Sequence, residues 1–440
     1  MVLLHVPTLV FLLAQLMSLA EAGFAPHHSL SRATERLHKF AIRHSAGLAR
    51  DLRVVFYGRD VADQIPLGSH KVYCKLPDPF NNGNVNGGNS TSPATATSSS
   101  AGHSTPTSAS GTHGSTTAAA QPTTSVPVSQ FKLQDSWSGS DFYSGWSFWD
   151  TADPTHGNVQ FVDQQTAQSN QLVGVNSAGN FLMRVETTPQ VSGNRKSIRI
   201  TTDNTYTGGI FILDAVHMPT GCGTWPAFWS NGPNWPAGGE IDIVEGVNDY
   251  TNNQATIHTN PGCTIPSNTG QGNLAVTADI VGGLNCAAAE TGNAGCGMRS
   301  TSSSTYGAGF NSNGGGVYAM AWDDSGIRVF FFPRNSIPDD ITAGQPNPSS
   351  WGTPMAIWPS SQCNPSEFFY NHSIIFDTTL CGDWAGGVWA STGAPGQDQS
   401  CAARTGVATC QEYVQNNGAA FQQAYWEVVS VKVYQKSRQS

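Results

Sequence analysis

From about residue 131 onward the chain carries short runs in which apolar and polar residues alternate with a period of two. The clearest are "NVQFVD", "FLMRVETT", "SIRITT", "GIFILDAVHM", "GVYAMAWDDSGIRVFFF" and "YWEVVSVKVYQ". Val, Ile, Phe and Thr dominate them, and Gly, Asn and Pro break them, which is the signature of strands that bury one face. No stretch of 12 or more residues keeps a helical period. An antiparallel all-β sandwich is therefore predicted. Within "AMAWDDSGIRVFFF" the residues Asp324, Ser325 and Gly326 should turn a hairpin. The longer irregular stretch 262–316 is expected to form surface loops.

Composition divides the chain into unequal parts. Residues 81–128 contain no Lys, Arg, Asp or Glu, and 20 of these 48 are Ser or Thr. Such a segment cannot bury a core and suits an extended, O-glycosylated linker. Ahead of it, residues 1–22 hold an apolar run followed by small residues, the pattern of a secretory signal peptide. Residues 23–80 have nine basic against five acidic side chains, and Leu37, Ala41, His44 and Leu48 recur at helical spacing. This basic extension fits either an anchor to acidic cell-wall polymers or membrane surfaces, or a solvated pro-segment. Residues 129–440 hold all twelve Trp and eight of nine Cys, with 12 basic against 24 acidic side chains. This part carries the core, and its negative balance argues against nucleic acid as a partner. No run suits a membrane span, and a soluble monomer, secreted to the extracellular space or cell wall, is expected.

The cysteines refine this picture. Cys222, Cys263, Cys286, Cys296, Cys363, Cys381, Cys401 and Cys410 lack the paired spacing of a zinc site and make an even set, so disulfides stapling the loops are expected. Their connectivity stays open, and Cys74 is left over. No calcium-loop spacing is present, the many Asp and Asn side chains leave a structural calcium ion open, and no cofactor or catalytic metal is expected. The sequons at Asn89 and Asn371 are candidate N-glycan sites, the latter expected close to "CGDWAG" and shielded there.

Chemistry concentrates in "GGEIDIVEGVND", residues 238–249, where Glu240 and Asp242 share a strand face while Glu245, five residues beyond Glu240, should point the other way. An exposed strand edge also alternates acidic and apolar residues. Here, however, no Lys or Arg occurs from Ile200 to Met298, so no cation nearby in sequence offsets the repulsion among the acids. Clustered carboxylates raise the pKa of at least one of them. Trp225, Trp229 and Trp235 immediately precede the acids, and flat aromatic faces suit sugar rings. A one-residue β-bulge after Asp242 would return Glu245 to the face of Glu240. Two carboxyls about 5–5.5 Å apart would then suit a retaining glycosidase.

These residues resemble a known family. "GEIDIVEG" is similar to the Glu-x-Asp-x-x-Glu signature of glycoside hydrolase family 16, in its laminarinase-like form. "GCGTWPAFW", "PNWPAGGEIDIVEGVND", "ATIHT", "YAMAWDDSGIRVFFFPR" and "CGDWAGGVW" follow in the order expected of fungal members, over about 137–435. The resemblance implies a concave β-jelly roll that hydrolyses internal bonds of β-1,3 and mixed β-1,3/1,4 glucans with retention. It implies Glu240 as nucleophile, Glu245 as general acid/base and Asp242 as the carboxylate that orients the nucleophile. His258 in "ATIHT" and the tryptophans Trp235, Trp229 and Trp384 are implied as substrate contacts. Two other readings keep the same fold: a cell-wall β-glucan transglycosylase using the same acids, and a glucan-binding module without catalysis.

Overall fold

The alternating runs become strands of two antiparallel sheets packed on one another. The computed structural model describes residues 128–266 and 275–436. The signal peptide, the basic extension, the linker apart from Val128, Cys74 and the Asn89 sequon lie outside the described residues. The first sheet runs in the order Ala356–Pro359, Gly326–Pro333, Gly316–Asp323, Gly209–His217, Tyr425–Lys436, Phe181–Arg184 and Val173–Val175. Phe131–Trp137 adds to the long strand Tyr425–Lys436. The second sheet runs in the order Ala278–Val281, Cys296–Ser300, Gln254–His258, Glu240–Glu245, Thr224–Asn231, Ser373–Leu380, Arg199–Thr202 and Trp146–Phe148. A small parallel pair, Val159–Phe161 with Arg195–Ser197, stands apart. The fold is the expected antiparallel β-jelly roll.

Strand periodicity explains the core. Phe211, Leu213, Met320 and Val431 from the first sheet pack against Phe228, Ile241, Ile257 and Phe376 from the second. Burying an aromatic or aliphatic side chain of this size contributes about 1.5–3 kcal/mol. Gly209–His217 reads as a nearly continuous apolar run because its other face is covered too. Ile210 and Ile212 join Val317, Ala319, Phe330 and Trp351 in an outer cluster. The hairpin forms where predicted, with Asp323 paired to Gly326 across Asp324 and Ser325.

The stretch 262–316 departs from its expected loop character. It contributes two strands, Ala278–Val281 and Cys296–Ser300, that complete one edge of the second sheet. Both are short, and "CGMRS" shows no clean alternation, because all five of its residues are buried. The disulfides Cys286–Cys296 and Cys263–Cys363 fasten this edge, and Cys222–Cys401 and Cys381–Cys410 fasten the loops at the other end. All eight cysteines of the described core are thus paired. Helices among the described residues are short, the longest α-helix being the seven-residue Cys410–Asn416. None is long and apolar enough to cross a membrane.

Asn371 is exposed, with a φ of 50°. It lies beside Thr207, whose hydroxyl accepts from its backbone N–H (2.9 Å), rather than beside Cys381–Trp384. The whole strand Ser373–Leu380 separates the two places, so the expected shielding is absent.

Candidate active site

The acidic strand contains the predicted bulge. Against Gln254–His258, Glu240 pairs with His258, Asp242 with Thr256 and Glu245 with Gln254. Against the other neighbour, Asp242 pairs with Trp229, Val244 with Phe228 and Glu245 with Ala227. Both registers contain one extra residue on the acidic strand, at Ile243. Ile241, Ile243 and Val244 all face the inter-sheet core, so two consecutive residues point inward there. Glu245 is thereby returned to the outer face with Glu240 and Asp242.

A bulge strands backbone groups that the ladder would otherwise satisfy. One side chain recovers them here. The fully buried Asn253 donates from Nδ2 to Ile243 O (2.9 Å) and accepts at Oδ1 from the Glu245 N–H (3.0 Å). Its own N–H donates to Thr305 Oγ1 (2.9 Å). The conformation that carries Glu245 is thus held by an amide from the adjacent loop.

The outer face has a dense polar lining. Trp225 Nε1–H donates to Glu245 Oε1 (2.9 Å), and the Trp235 indole N–H donates to Glu240 Oε2. His258 Nε2 lies 3.3 Å from Asp242 Oδ2. His258 packs against Gly295, where a Cβ would come within 2.9 Å of the imidazole and where φ is +59°. Gly239, at φ +79°, lets the chain pass under Phe369 into Glu240, since a Cβ there would lie 2.3 Å from that ring.

Burial first, then the neighbouring Asp242, pushes Glu240 up to about 8, opposed by His258 and the Trp235 N–H. Burial also pushes Asp242 up to about 8, with Asp377 adding to the rise. Glu245 lies well above the usual glutamate range through burial and then Asp242. Like charges packed this closely cannot all be ionised, so the cluster retains protons near neutral pH. Glu240 and Asp242 share a hydrogen bond that raises Glu240 and lowers Asp242, while His258 and the indole donor act to lower Glu240.

Of the predicted site residues, Glu240, Asp242, Glu245, His258, Trp229 and Trp235 come together on this face. Trp235 is 43 % exposed and Trp229 half-buried, its Nε1–H donating to Asp377 Oδ2 (3.0 Å). Trp384 does not fit its expected role as a sugar platform. It is 2 % exposed, edge-on to Trp225 and Tyr250, and belongs to the core. Sequence reasoning missed Asp377 and Arg199. Burial pushes Asp377 up to about 7, while Arg199 and the Trp229 N–H act the other way. The Arg199 guanidinium lies 5.1 Å from the Trp229 ring centre and 4.7 Å from that of Trp149. The available signal was a single charge among Ile, Phe, Ser and Thr, in "SIIFDTTL" and "SIRITT".

Two clusters hold donor atoms at metal-like spacing. In Cys222, Asp249 and Cys401 the sulfurs form a disulfide and Asp249 pairs with Arg404, leaving no thiolate to bind an ion. In Glu240, Asp242 and His258 the donor atoms lie within 4.8 Å of one another, and these are the acid cluster itself.

Known proteins match most of the described residues. A family model described as XgeA-like, catalytic GH16 domain matches residues 146–434. A probable endo-1,3(4)-beta-glucanase of Aspergillus clavatus is 44 % identical over 309 residues, covering 69 % of this chain and 46 % of that protein. The endo-1,3(4)-beta-glucanase xgeA of Emericella nidulans is 42 % identical, covering 70 % of this chain and 48 % of its own length. The match thus spans about half the length of these curated relatives. The structure of laminarinase 16A from Phanerochaete chrysosporium, with β-glucans in donor and acceptor sites, is 40 % identical with a TM-score of 0.62. It covers 69 % of this chain and 99 % of that one. An elongating GH family 16 beta-1,3-glucosyltransferase is 38 % identical with the same TM-score, covering 69 % of this chain and all of its own.

Proposed function

The chain belongs to glycoside hydrolase family 16, and from that membership we propose that it is a retaining endo-β-glucanase acting on β-1,3 and mixed β-1,3/1,4 glucans. The observation that carries the reading is the bulge at Ile243, which gathers Glu240, Asp242 and Glu245 on one aromatic-lined face. The names of the relatives support the substrate class.

Glu245, held protonated by burial and by its acidic neighbours, donates its proton to the departing glycosidic oxygen. Glu240, once it has given up its proton, attacks the anomeric carbon as the bond to that oxygen breaks, its charge stabilised and oriented by the Trp235 N–H. Asp242, hydrogen-bonded to Glu240, takes up the proton that Glu240 gives up to react, and His258 holds Asp242 from the other side. The Glu245 carboxylate then takes a proton from water, which cleaves the glycosyl ester and restores both acids. Trp235 and Trp229 offer the aromatic surface for the sugar rings. The signal-like residues 1–22 and the four disulfides support secretion, and residues 129–440 are the catalytic part.

Glu240→Gln and Glu245→Gln should each lower laminarin turnover by at least about 10²-fold. Either variant retaining near wild-type kcat would overturn its assignment. A second reading, transfer to a sugar instead of water, is favoured by the likeness to the elongating glucosyltransferase. Products longer than the substrate would decide for it.

A further inference from the structure

The face that carries the acids continues well beyond them. From Glu245 the register passes to Ala227, then to Asp377, then to Arg199. Trp149 closes this row, its N–H donating to Arg199 O (2.9 Å) directly after the strand Trp146–Phe148. The row therefore crosses five strands of the second sheet. Phe148 packs toward the core, so alternation turns Trp149 to the outer face with Arg199. The Arg199 guanidinium sits between the rings of Trp149 and Trp229, making one continuous floor from the acids to the sheet edge.

Trp149 is 37 % exposed and, with Trp235, one of two tryptophans standing open among the described residues. Both lie on the face of the acids. An indole left to water on the outer face of the sheet, with its orientation fixed by the buried Arg199, has surface to offer a ligand.

We propose that Trp149 is an outlying glucan-binding platform, stacking on a glucosyl ring of the substrate far from the bond that is cleaved. The proposal rests on the glucanase reading and adds a length to the site. Four strand spacings of about 4.8 Å put the platform roughly 19 Å from the acidic strand. That distance spans several glucosyl units. The enzyme then favours chains long enough to reach across the sheet, which is a specificity for length.

The test compares kcat/KM of the full chain and its Trp149→Ala and Trp149→Phe variants on a ladder of laminari-oligosaccharides. Trp149→Ala should lose roughly three- to tenfold on chains long enough to reach the platform and nothing on short ones, with Trp149→Phe in between. A loss equal at all lengths would mean a merely structural role, and no loss at any length would mean that Trp149 takes no part. Each overturns the proposal. Should the unsubstituted chain hydrolyse no glucan, the glucanase reading fails separately. Calorimetric binding of long laminarin then decides, and equal affinity of the Trp149→Ala variant would refute the platform.

Discussion

Replacing Asn253 by Ala probes the bulge without touching an acid. The substitution strips a donor from the Ile243 carbonyl and an acceptor from the Glu245 N–H, both of which lie where the ladder offers no alternative. Leaving one buried backbone group unsatisfied costs about 1–3 kcal/mol, so the pair should cost about 2–6 kcal/mol of stability. Displacing a catalytic group by about 1 Å can cost on the order of 10²-fold in rate. The variant should therefore show a 10- to 100-fold lower kcat on laminarin, at a KM changed by less than about threefold. Asn253→Asp sharpens the test. Its carboxyl still accepts from Glu245 N–H but, once ionised, faces the Ile243 carbonyl with another acceptor. Burial raises its folded pKa above the unfolded ~3.9, so its stability deficit relative to wild type should grow as pH rises from about 4. Urea unfolding between pH 4 and 7 with the disulfides intact, together with steady-state kinetics, gives both quantities. An Asn253→Ala variant within about 0.5 kcal/mol of wild type and with unchanged kcat would refute the clamp.

Further outcomes follow from the same geometry. The Glu240 carboxyl is raised from 4.5 to about 8, so between these values the folded chain holds a proton that the unfolded chain has released. This group therefore makes stability fall as pH rises, by up to about 1.4 kcal/mol per pH unit, and Glu240→Gln should flatten the slope of unfolding free energy between pH 5 and 7. Parallel slopes in variant and wild type would contradict that environment. Trp225→Phe removes a donor that favours ionised Glu245, so the alkaline limb of the kcat profile should move to higher pH; a shift to lower pH would be the wrong sign. Cys263–Cys363 spans 100 residues and Cys286–Cys296 only 10. Removing the first should cost about 4–5 kcal/mol and the second about 2 kcal/mol less, measured by denaturant unfolding of the two double-alanine variants.

What the sequence disclosed depended on how far apart the cooperating residues lie along it. The acids and their bulge were legible because a period of two makes one misplaced carboxylate visible within a single strand. The strands of 262–316 were not, since the burial of "CGMRS" on both faces erased its alternation. Trp384 looked like a sugar platform because composition cannot tell a cleft tryptophan from a core one, and here Trp225 and Tyr250 enclose it. Asp377, Arg199 and Trp149 reach the site only through the pairing of strands distant in sequence. Asn253 acts from a loop through two backbone contacts that no side-chain pattern announces.

The central claim is that the bulge builds a nucleophile and an acid/base on one face, which dictates retention through a glycosyl-enzyme. Proton NMR of laminarin during the first moments of digestion by the full chain tests it most directly. The account predicts that the β-anomer appears first and the α-anomer only later, by mutarotation. Initial release of the α-anomer would mean direct attack by water and would contradict it.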